Sequence, residues 1–573
     1  MIGKNGDRLT PLADTQRINL SRLFVPKGNH AEPVQTARPR IAALGLVLAA
    51  AAVVLTARAA DLTIFNPSSS VTANNRELVV AQPRAQIIDR NGVLLAGNIE
   101  TWDVYVKRAD IDNVERLATR LATLDGVPAR EVLRQRLTGK TGRVRIARAV
   151  TPKLRRVIFD LSEPGIEFER RLSRYYPNQA LASHLLGWVD ADGMGAQGAE
   201  RAFDARLRDD ATPLQLALDS RVQFTLEDEI QKAVQVHKPL AILGIITDVT
   251  TGEVLAMASW PSFDLNHFNT TKPSHRRNRA VTDPYELGSV FKPLTLAIAL
   301  ETGMKMNEVE FNVQEKLVIA GRNIRDFHPG PSPMTAMDIL VHSSNKGAAK
   351  MALLAGGKNQ REYLARFGLL DRARIELRES APAYMASQSW SPIKTATIGY
   401  GHGLAVTAVS FVSALGGVVN DGQQNPLTLL PQTPSDMLPI RVVSSETSRH
   451  VRAAMRKVVT DGSGRRADVP GYGVAGKTGS AEKWDSQSSS YAKDRNVSSF
   501  VAIFPWEAPK YMVFVLLDEP QGGTSTFGWE TAGWNAAPAV HNIISRIGPI
   551  LNAPFSPPGQ QAKAELAAAR EEP

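Results

Sequence analysis

The chain has 573 residues, 43% hydrophobic and 22% charged, which gives room for two or more domains of ordinary globular composition. It contains no cysteine, so disulfides, thiolate metal sites, a Cys nucleophile and a lipid-modified cysteine anchor are all excluded. The net charge of +10 comes without a compact Lys/Arg block interleaved with aromatics, which argues against nucleic acid and for a mildly basic surface facing an anionic envelope.

Residues 1–40 carry seven Lys/Arg and three Asp/Glu and read as a cytoplasmic tail. Residues 41–57 follow with no charge, at the lower length limit for a membrane-spanning helix. Arg38 and Arg40 precede this run, so the positive-inside rule puts the N-terminus in the cytoplasm and the bulk of the chain outside. Ala57-Arg58-Ala59 fits a signal-peptide cleavage site, but the 40 residues ahead of the apolar run are long for a signal. Residues 41–60 are therefore predicted as an uncleaved single-pass anchor in the plasma membrane.

Residues 61–82 contain Asn66-Pro67-Ser68-Ser69-Ser70 and read as linker. Beyond them, strand-like pieces (86–88, 103–106, 143–147) alternate with helical stretches such as 114–124, with no catalytic constellation. The span 61–220 is thus predicted as a non-catalytic α+β module, and Leu216-Ala217-Leu218-Asp219 marks the hand-over. A second domain, 221–552, opens with a helix over 222–236. Strands 241–248 and 253–258 follow, joined by Thr250-Thr251-Gly252 as a hairpin. The middle is helical, and strands return at 472–477, 498–504 and 511–517. That order predicts one central antiparallel sheet flanked by helices, in an α+β domain. Residues 553–573 are Pro/Gly-rich, then Ala/Glu/Arg-rich, and are expected as a disordered tail.

Three short motifs carry the chemistry: Ser289-Val290-Phe291-Lys292, Ser343-Ser344-Asn345 and Lys477-Thr478-Gly479. In this order they supply a serine nucleophile, a nearby lysine, a hydroxyl–amide pair and a second cation, the set that serine acyl transfer needs. Singly they are weak. S-x-x-K starts at five serines (Ser289, Ser343, Ser391, Ser480, Ser490) and K-T-G at two lysines (Lys140, Lys477). Context selects Ser289. Val290, Phe291, Leu294, Ile298 and Leu300 after it are apolar at helical spacing, and Pro293 is tolerated in a first helical turn. Ser289 and Lys292 then share a face, and the hydroxyl sits at the positive end of a helix.

The blocks Tyr285-Glu286-Leu287-Gly288-Ser289-Val290-Phe291-Lys292-Pro293, His342-Ser343-Ser344-Asn345-Lys346-Gly347 and Val474-Ala475-Gly476-Lys477-Thr478-Gly479-Ser480-Ala481 resemble the three active-site blocks of class B penicillin-binding proteins. The likeness is to the division-specific, FtsI-like peptidoglycan D,D-transpeptidases. Gly399 to Thr407, Gln86 to Ala96, Arg174-Tyr175-Tyr176-Pro177 and Gly198-Ala199-Glu200 extend it over residues 40 to 540. Leu287 departs from the family's usual proline and Ser480 from its common threonine.

The resemblance implies an elongated pedestal or dimerisation-type module over 61–220 and a transpeptidase domain over 221–552. It implies that Ser289 attacks a D-alanyl-D-alanine peptide while neutral Lys292 takes its proton. Ser343 then relays a proton to the leaving D-alanine, and Asn345 holds Lys292 and the substrate backbone. Lys477, Thr478 and Ser480 would bind the substrate carboxylate, Gly479 would let a substrate strand come close, and the N–H groups of Ser289 and Ser480 would form the oxyanion hole. The implied partners are peptidoglycan strands and lipid-linked precursors, β-lactams, a polytopic glycan polymerase and division proteins. The implied role is septal cross-linking in the periplasm. An elongation-type transpeptidase, a D,D-carboxypeptidase or a β-lactamase would use the same site.

No cofactor is expected, and no H-E-x-x-H or similar spacing suggests a metal. His328, His342 and His402 lie near the motifs but are left outside the expected machinery. The rival from another class is a P-loop: Gly471 to Thr478 fits its pattern, and 513–519 mimics the apolar strand ending in acid. It needs a buried strand before the glycines and a helix after Thr478, and neither is predicted.

Overall fold

The computed structural model describes residues 33–60, 83–124, 126–138, 142–385, 387, 389–485 and 490–557. It divides into two units, residues 1–81 and 82–573. In the first, α1 (Pro33–Ala60) contains the expected 41–60 segment, and its Leu44, Leu46, Val47, Val53, Val54 and Leu55 side chains are exposed. Among the described residues no helix is long and apolar enough to cross a membrane. Seven of the residues from 41 to 57 are alanine, which contributes little hydropathy per residue. Most of the 1–40 tail and the linker 61–82 lie outside the described residues.

The second unit begins with a small sheet. Strand β1 (Leu94–Lys107) pairs antiparallel with both β2 (Arg143–Val150) and β3 (Ile166–Tyr175). Helices Val114–Leu121, Arg130–Thr138 and Pro152–Phe159 join one core with this sheet, built on Val104, Val106, Leu117, Leu121, Leu133 and Ile158. Asn113 and Thr151 cap two of these helices through their side chains, satisfying N–H groups of the first turn. Near the hand-over, Ile87 and Leu95 share one continuous core with Leu294, Ile398 and Phe514, so the small sheet's base and the rest of the unit are one packed body.

The second sheet has five antiparallel strands: β4 (Ala241–Asp248), β5 (Val254–Trp260), β6 (Ala475–Asp485), β7 (Ser490–Phe504) and β8 (Tyr511–Asp518). Their spatial order is β6-β7-β8-β4-β5, which leaves β6 on an edge. Helix α2 (Ser220–His237) and the C-terminal α6 (Ala536–Ile550) pack Val222, Leu226, Ile543 and Ile547 on one face. The other face meets the helical middle of the chain, including α3 (Lys292–Glu301), α4 (Asn345–Ala355) and α5 (Ser445–Thr460). Every residue of β4 and β8 is buried, because both faces are covered.

Three expectations are corrected. The strand read over 472–477 starts at Ala475, since Gly471 and Gly473 hold positive φ and turn the chain before it. It also runs on to Asp485, and β7 starts at Ser490 rather than 498. These polar stretches pair backbone to backbone, which needs no apolar alternation. Finally, the tail expected from 553 is packed at its start: the Phe555 ring lies 5.3 Å from that of Tyr472, and Ser556 N donates to Gly471 O at 2.8 Å. The remainder, 558–573, lies outside the described residues.

Candidate active site

Ser289 sits in a short 3-10 turn, Gly288–Phe291, that runs straight into α3 at Lys292. A 3-10 turn repeats every three residues, so the side chains at positions 289 and 292 eclipse one another. Lys292 Nζ lies 3.0 Å from Ser289 Oγ. The same nitrogen reaches Ser343 O at 2.5 Å, Ser343 Oγ at 3.1 Å and Asn345 Oδ1 at 2.9 Å. The S-x-x-K and S-x-N motifs, 51 residues apart, thus meet on one amine.

Ser343 holds φ = +57°, a left-handed conformation costing on the order of 1 kcal/mol for a residue with a Cβ. Its carbonyl is one of the acceptors on Lys292. Ser344 caps α4 by accepting Gly347 N–H at 2.9 Å. The carboxylate of Asp326 accepts Asn345 N–H at 2.5 Å, Lys346 N–H at 3.0 Å and the Ser344 hydroxyl at 3.0 Å. An acid at a helix N-terminus is stabilised there, and here it fixes the backbone that carries Ser343 and Asn345. Asn345 Nδ2 donates to Arg325 O at 3.2 Å, which turns Oδ1 towards Lys292.

Lys477 comes from edge strand β6. Its Nζ donates to Ser343 Oγ at 3.0 Å and lies 3.3 Å from Thr478 Oγ1. Both lysines are fully buried, and among the described residues neither is paired with a carboxylate. Burial and then the charge of Lys477 hold the Lys292 amine well below the usual lysine range, against a weaker opposing pull from Asp326. Burial alone lowers Lys477 to about 7.

A neutral amine at Lys292 has two N–H donors and one lone pair. Ser343 O and Asn345 Oδ1 can only accept, so they take the two donors. The lone pair is left for a serine O–H, and Ser289 Oγ is the nearer of the two hydroxyls. This is the arrangement of a general base next to a nucleophile.

The remaining expected residues separate. Thr478 and Ser480 project from the same face of β6, as strand alternation predicts. Thr478 is buried with its Oγ1 2.6 Å from Ser463 Oγ, whereas Ser480 is exposed and its Oγ accepts Ala532 N–H at 3.5 Å. Gly479 also has a packing reason. A Cβ there would lie 2.6 Å from Ser499 Oγ, 2.7 Å from Leu287 O and 2.8 Å from Val290 Cγ1. The missing side chain lets β6 lie against the serine turn. Gly288 mirrors it, since its Cβ would lie 2.6 Å from Ser480 O.

The P-loop geometry is absent: β6 continues through Lys477 and Thr478 to Asp485, and no helix begins there. Asp518, its supposed metal ligand, is paired with Lys483 at 2.8 Å. Of the residues around the motifs, Asp326, Ser463, Glu286 and Tyr491 were not singled out from sequence. Asp326 lies 19 positions before Asn345, and only the packing of hairpin Leu317–Ile319/Arg322–Ile324 brings it in.

Comparison with known proteins adds to this geometry. Residues 242–545 match the penicillin binding protein transpeptidase domain, and residues 79–235 match the penicillin-binding protein dimerisation domain. The probable peptidoglycan D,D-transpeptidase FtsI of Caulobacter vibrioides is 38% identical over 82% of this chain and 81% of its own length. The peptidoglycan D,D-transpeptidase FtsI of Escherichia coli is 29% identical over 84% of this chain and 87% of its own. The crystal structure of penicillin binding protein 3 from Mycobacterium tuberculosis, complexed with aztreonam, superposes with a TM-score of 0.65 at 25% identity. It covers 83% of this chain and 98% of that one.

Proposed function

The chain belongs to the penicillin-binding protein transpeptidase family, and on that premise we propose a serine D,D-transpeptidase that cross-links septal peptidoglycan through an acyl-Ser289 intermediate. The observation that carries the reading is the environment of Lys292, whose amine lies 3.0 Å from Ser289 Oγ beside two oxygens, Ser343 O and Asn345 Oδ1, that can only accept.

Ser289 Oγ attacks the carbonyl carbon of the penultimate D-alanine, and its proton passes to Lys292 Nζ. The C–N bond then breaks, and the terminal D-alanine leaves with that proton, delivered through Ser343 Oγ. An amine of a neighbouring stem peptide attacks the ester and releases Ser289 as a hydroxyl again. Asn345 keeps Lys292 aimed, and Lys477 holds the Ser343 hydroxyl and adds positive charge for the substrate carboxylate, with Thr478 and Ser480 beside it. The N–H groups of Ser289 and Ser480 take the oxyanion, a pair of donors each worth about 10²–10³ in rate in other enzymes. A β-lactam acylates the same serine. The septal assignment is supported by the FtsI names of the two relatives.

The proposed organisation is a cytoplasmic tail over 1–40, a single-pass anchor over 41–60, a pedestal over 61–220, the transpeptidase domain over 221–552 and a tail over 553–573. The charge-free run 41–57 and the exposed leucines and valines of α1 support the anchor. The catalytic domain then faces the periplasm, where lipid-linked precursors, glycan strands, a polytopic glycan polymerase and other division proteins are its partners.

The test is labelling of the full chain in membranes with a fluorescent penicillin, beside Ser289→Ala. A stable adduct on the parent and none on the variant is expected, with cross-linked dimers rather than trimmed monomers as products from a peptidoglycan substrate. A well-folded parent that takes no label would end the acyl-serine reading.

A further inference from the structure

One carboxylate outside the set around Lys292 joins three parts of the wall of the site. Glu286 lies three residues before Ser289. Its Oε1 accepts the N–H of Gly403 at 2.8 Å, and its Oε2 accepts the hydroxyl of Tyr491 at 2.9 Å.

Gly403 belongs to loop 400–406, which packs on the serine turn. Gly288 N donates to Gly401 O at 3.1 Å, and Tyr285 exchanges both backbone bonds with Val406 at 2.9 and 3.0 Å. A Cβ on Gly401 would lie 2.1 Å from Gly288 O, so loop and turn form one close-packed piece.

Tyr491 belongs to a different piece. Strand β8 pairs with β7 only from Val497 to Phe504, so the earlier part of β7 and the end of β6 extend past the sheet as a two-stranded arm. A register irregularity between Glu482 and Trp484 sits at the base of this arm, where such a feature bends and twists a strand. Lys483 ties the base to Asp518 and Glu519 at 2.8 and 2.7 Å. Farther out, the Tyr491 ring meets the ring of His402 edge-on at 5.4 Å, and His402 in turn lies 5.2 Å from Tyr400. The Tyr491 ring therefore meets the loop behind the nucleophile, while its hydroxyl reaches Glu286.

We propose that Glu286 is a positioning residue: by bridging Gly403 N–H and Tyr491 O–H it straps the β6–β7 arm to the nucleophile turn and so sets the groove in which the donor peptide binds. The proposal rests on the acyl-Ser289 reading and adds a determinant of donor binding to it. The back of the groove is fixed by the glycine contact between β6 and the serine turn. Farther out along the arm, the bond from the Tyr491 hydroxyl to Glu286 ties it to the turn that carries the nucleophile. When the strap is cut, only a fraction of molecules holds the arm closed, and apparent affinity falls by that fraction while chemistry in the closed state is untouched. A hydrogen bond to a charged group is worth about 1.5 kcal/mol or more, or about tenfold in affinity.

The experiment measures single-turnover acylation of the full chain by a fluorescent penicillin, separating half-saturating concentration from limiting rate. The variants are Tyr491→Phe, Glu286→Gln and the pair. Tyr491→Phe keeps the ring against His402, so it should raise the half-saturating concentration about tenfold and lower the limiting rate by less than about twofold. Glu286→Gln can still accept from Gly403 and donate to the tyrosine oxygen, so its loss should be about threefold. The pair should be no worse than Tyr491→Phe alone, since both cut one strap. An unchanged half-saturating concentration in Tyr491→Phe, a loss confined to limiting rate, or additive losses in the pair would overturn the proposal. If Tyr491→Phe does not fold, Glu286→Gln decides: a threefold rise supports the strap and no rise overturns it. A parent that is never acylated fails the acyl-serine reading and the strap with it, whereas a normal parent beside indifferent variants fails the strap alone.

Discussion

Replacing Lys477 by methionine removes a charge that faces Lys292 across a single hydroxyl. Ser343 Oγ is 3.1 Å from one amine and 3.0 Å from the other, so the two nitrogens are no more than about 6 Å apart. At an effective dielectric of about 20, two unit charges at that spacing repel by about 3 kcal/mol, or about two pKa units. The sign follows from which amine is charged. Below about pH 7 Lys477 carries its proton, and in that range its field favours the neutral form of Lys292. With methionine at 477, burial alone keeps Lys292 low, and its pKa rises.

Acylation needs the neutral amine, so the acid limb of the limiting acylation rate should move to higher pH in Lys477→Met. Stopped-flow acylation by a fluorescent penicillin between about pH 5 and 9 reads this directly. The plateau should fall as well, because the Ser343 hydroxyl loses a donor, but plateau height does not test the coupling. A limb that stays in place, or moves to lower pH, refutes the electrostatic argument.

Asp326→Asn should shift the same limb the other way, because Asp326 opposes the depression of Lys292; its limiting rate should also drop about tenfold as the helix N-terminus under Ser343 and Asn345 loses its charged acceptor. A shift in the same direction as Lys477→Met would show that the acid acts only through folding. Gly479→Ala should lower stability by about 1–3 kcal/mol, since its new Cβ meets backbone and side chain at 2.6 to 2.8 Å. Thermal unfolding reads that loss, and a midpoint equal to that of the parent would refute the packing role given to this glycine.

The strands buried on both faces were legible because their side chains carry the signal. Residues 241–248 and 511–517 are nearly continuous apolar runs, and the sheet places them side by side as β4 and β8. Helix α2 was legible from its period. The β6–β7 arm was not, because polar residues over 480–485 and 490–497 leave no alternation to read in a ribbon paired backbone to backbone. The early end assigned to β6 came from apolar Tyr472 and Val474, which face the core from within a turn.

The three motifs were legible for a related reason: they hold residues whose chemistry is costly to place where it is. Lys292 and Lys477 are fully buried, and a buried amine without a carboxylate partner costs free energy in its charged form. Ser343 adds a left-handed backbone. Such features persist only where the surroundings over-determine them, and here the surroundings are long-range. Asp326 reaches Asn345 from a hairpin, Glu286 reaches Tyr491 across 205 positions, and Gly479 meets Leu287 across the groove. Asp326 and Tyr491 leave no local pattern, since each is defined by what lies opposite it in space. A single chain thus reveals the groups that react, while those that hold them in place become visible only in the fold. If the second set governs geometry as argued, the limb shifts of Lys477→Met and Asp326→Asn must be opposite in sign, although both changes remove one charge from the same few ångströms.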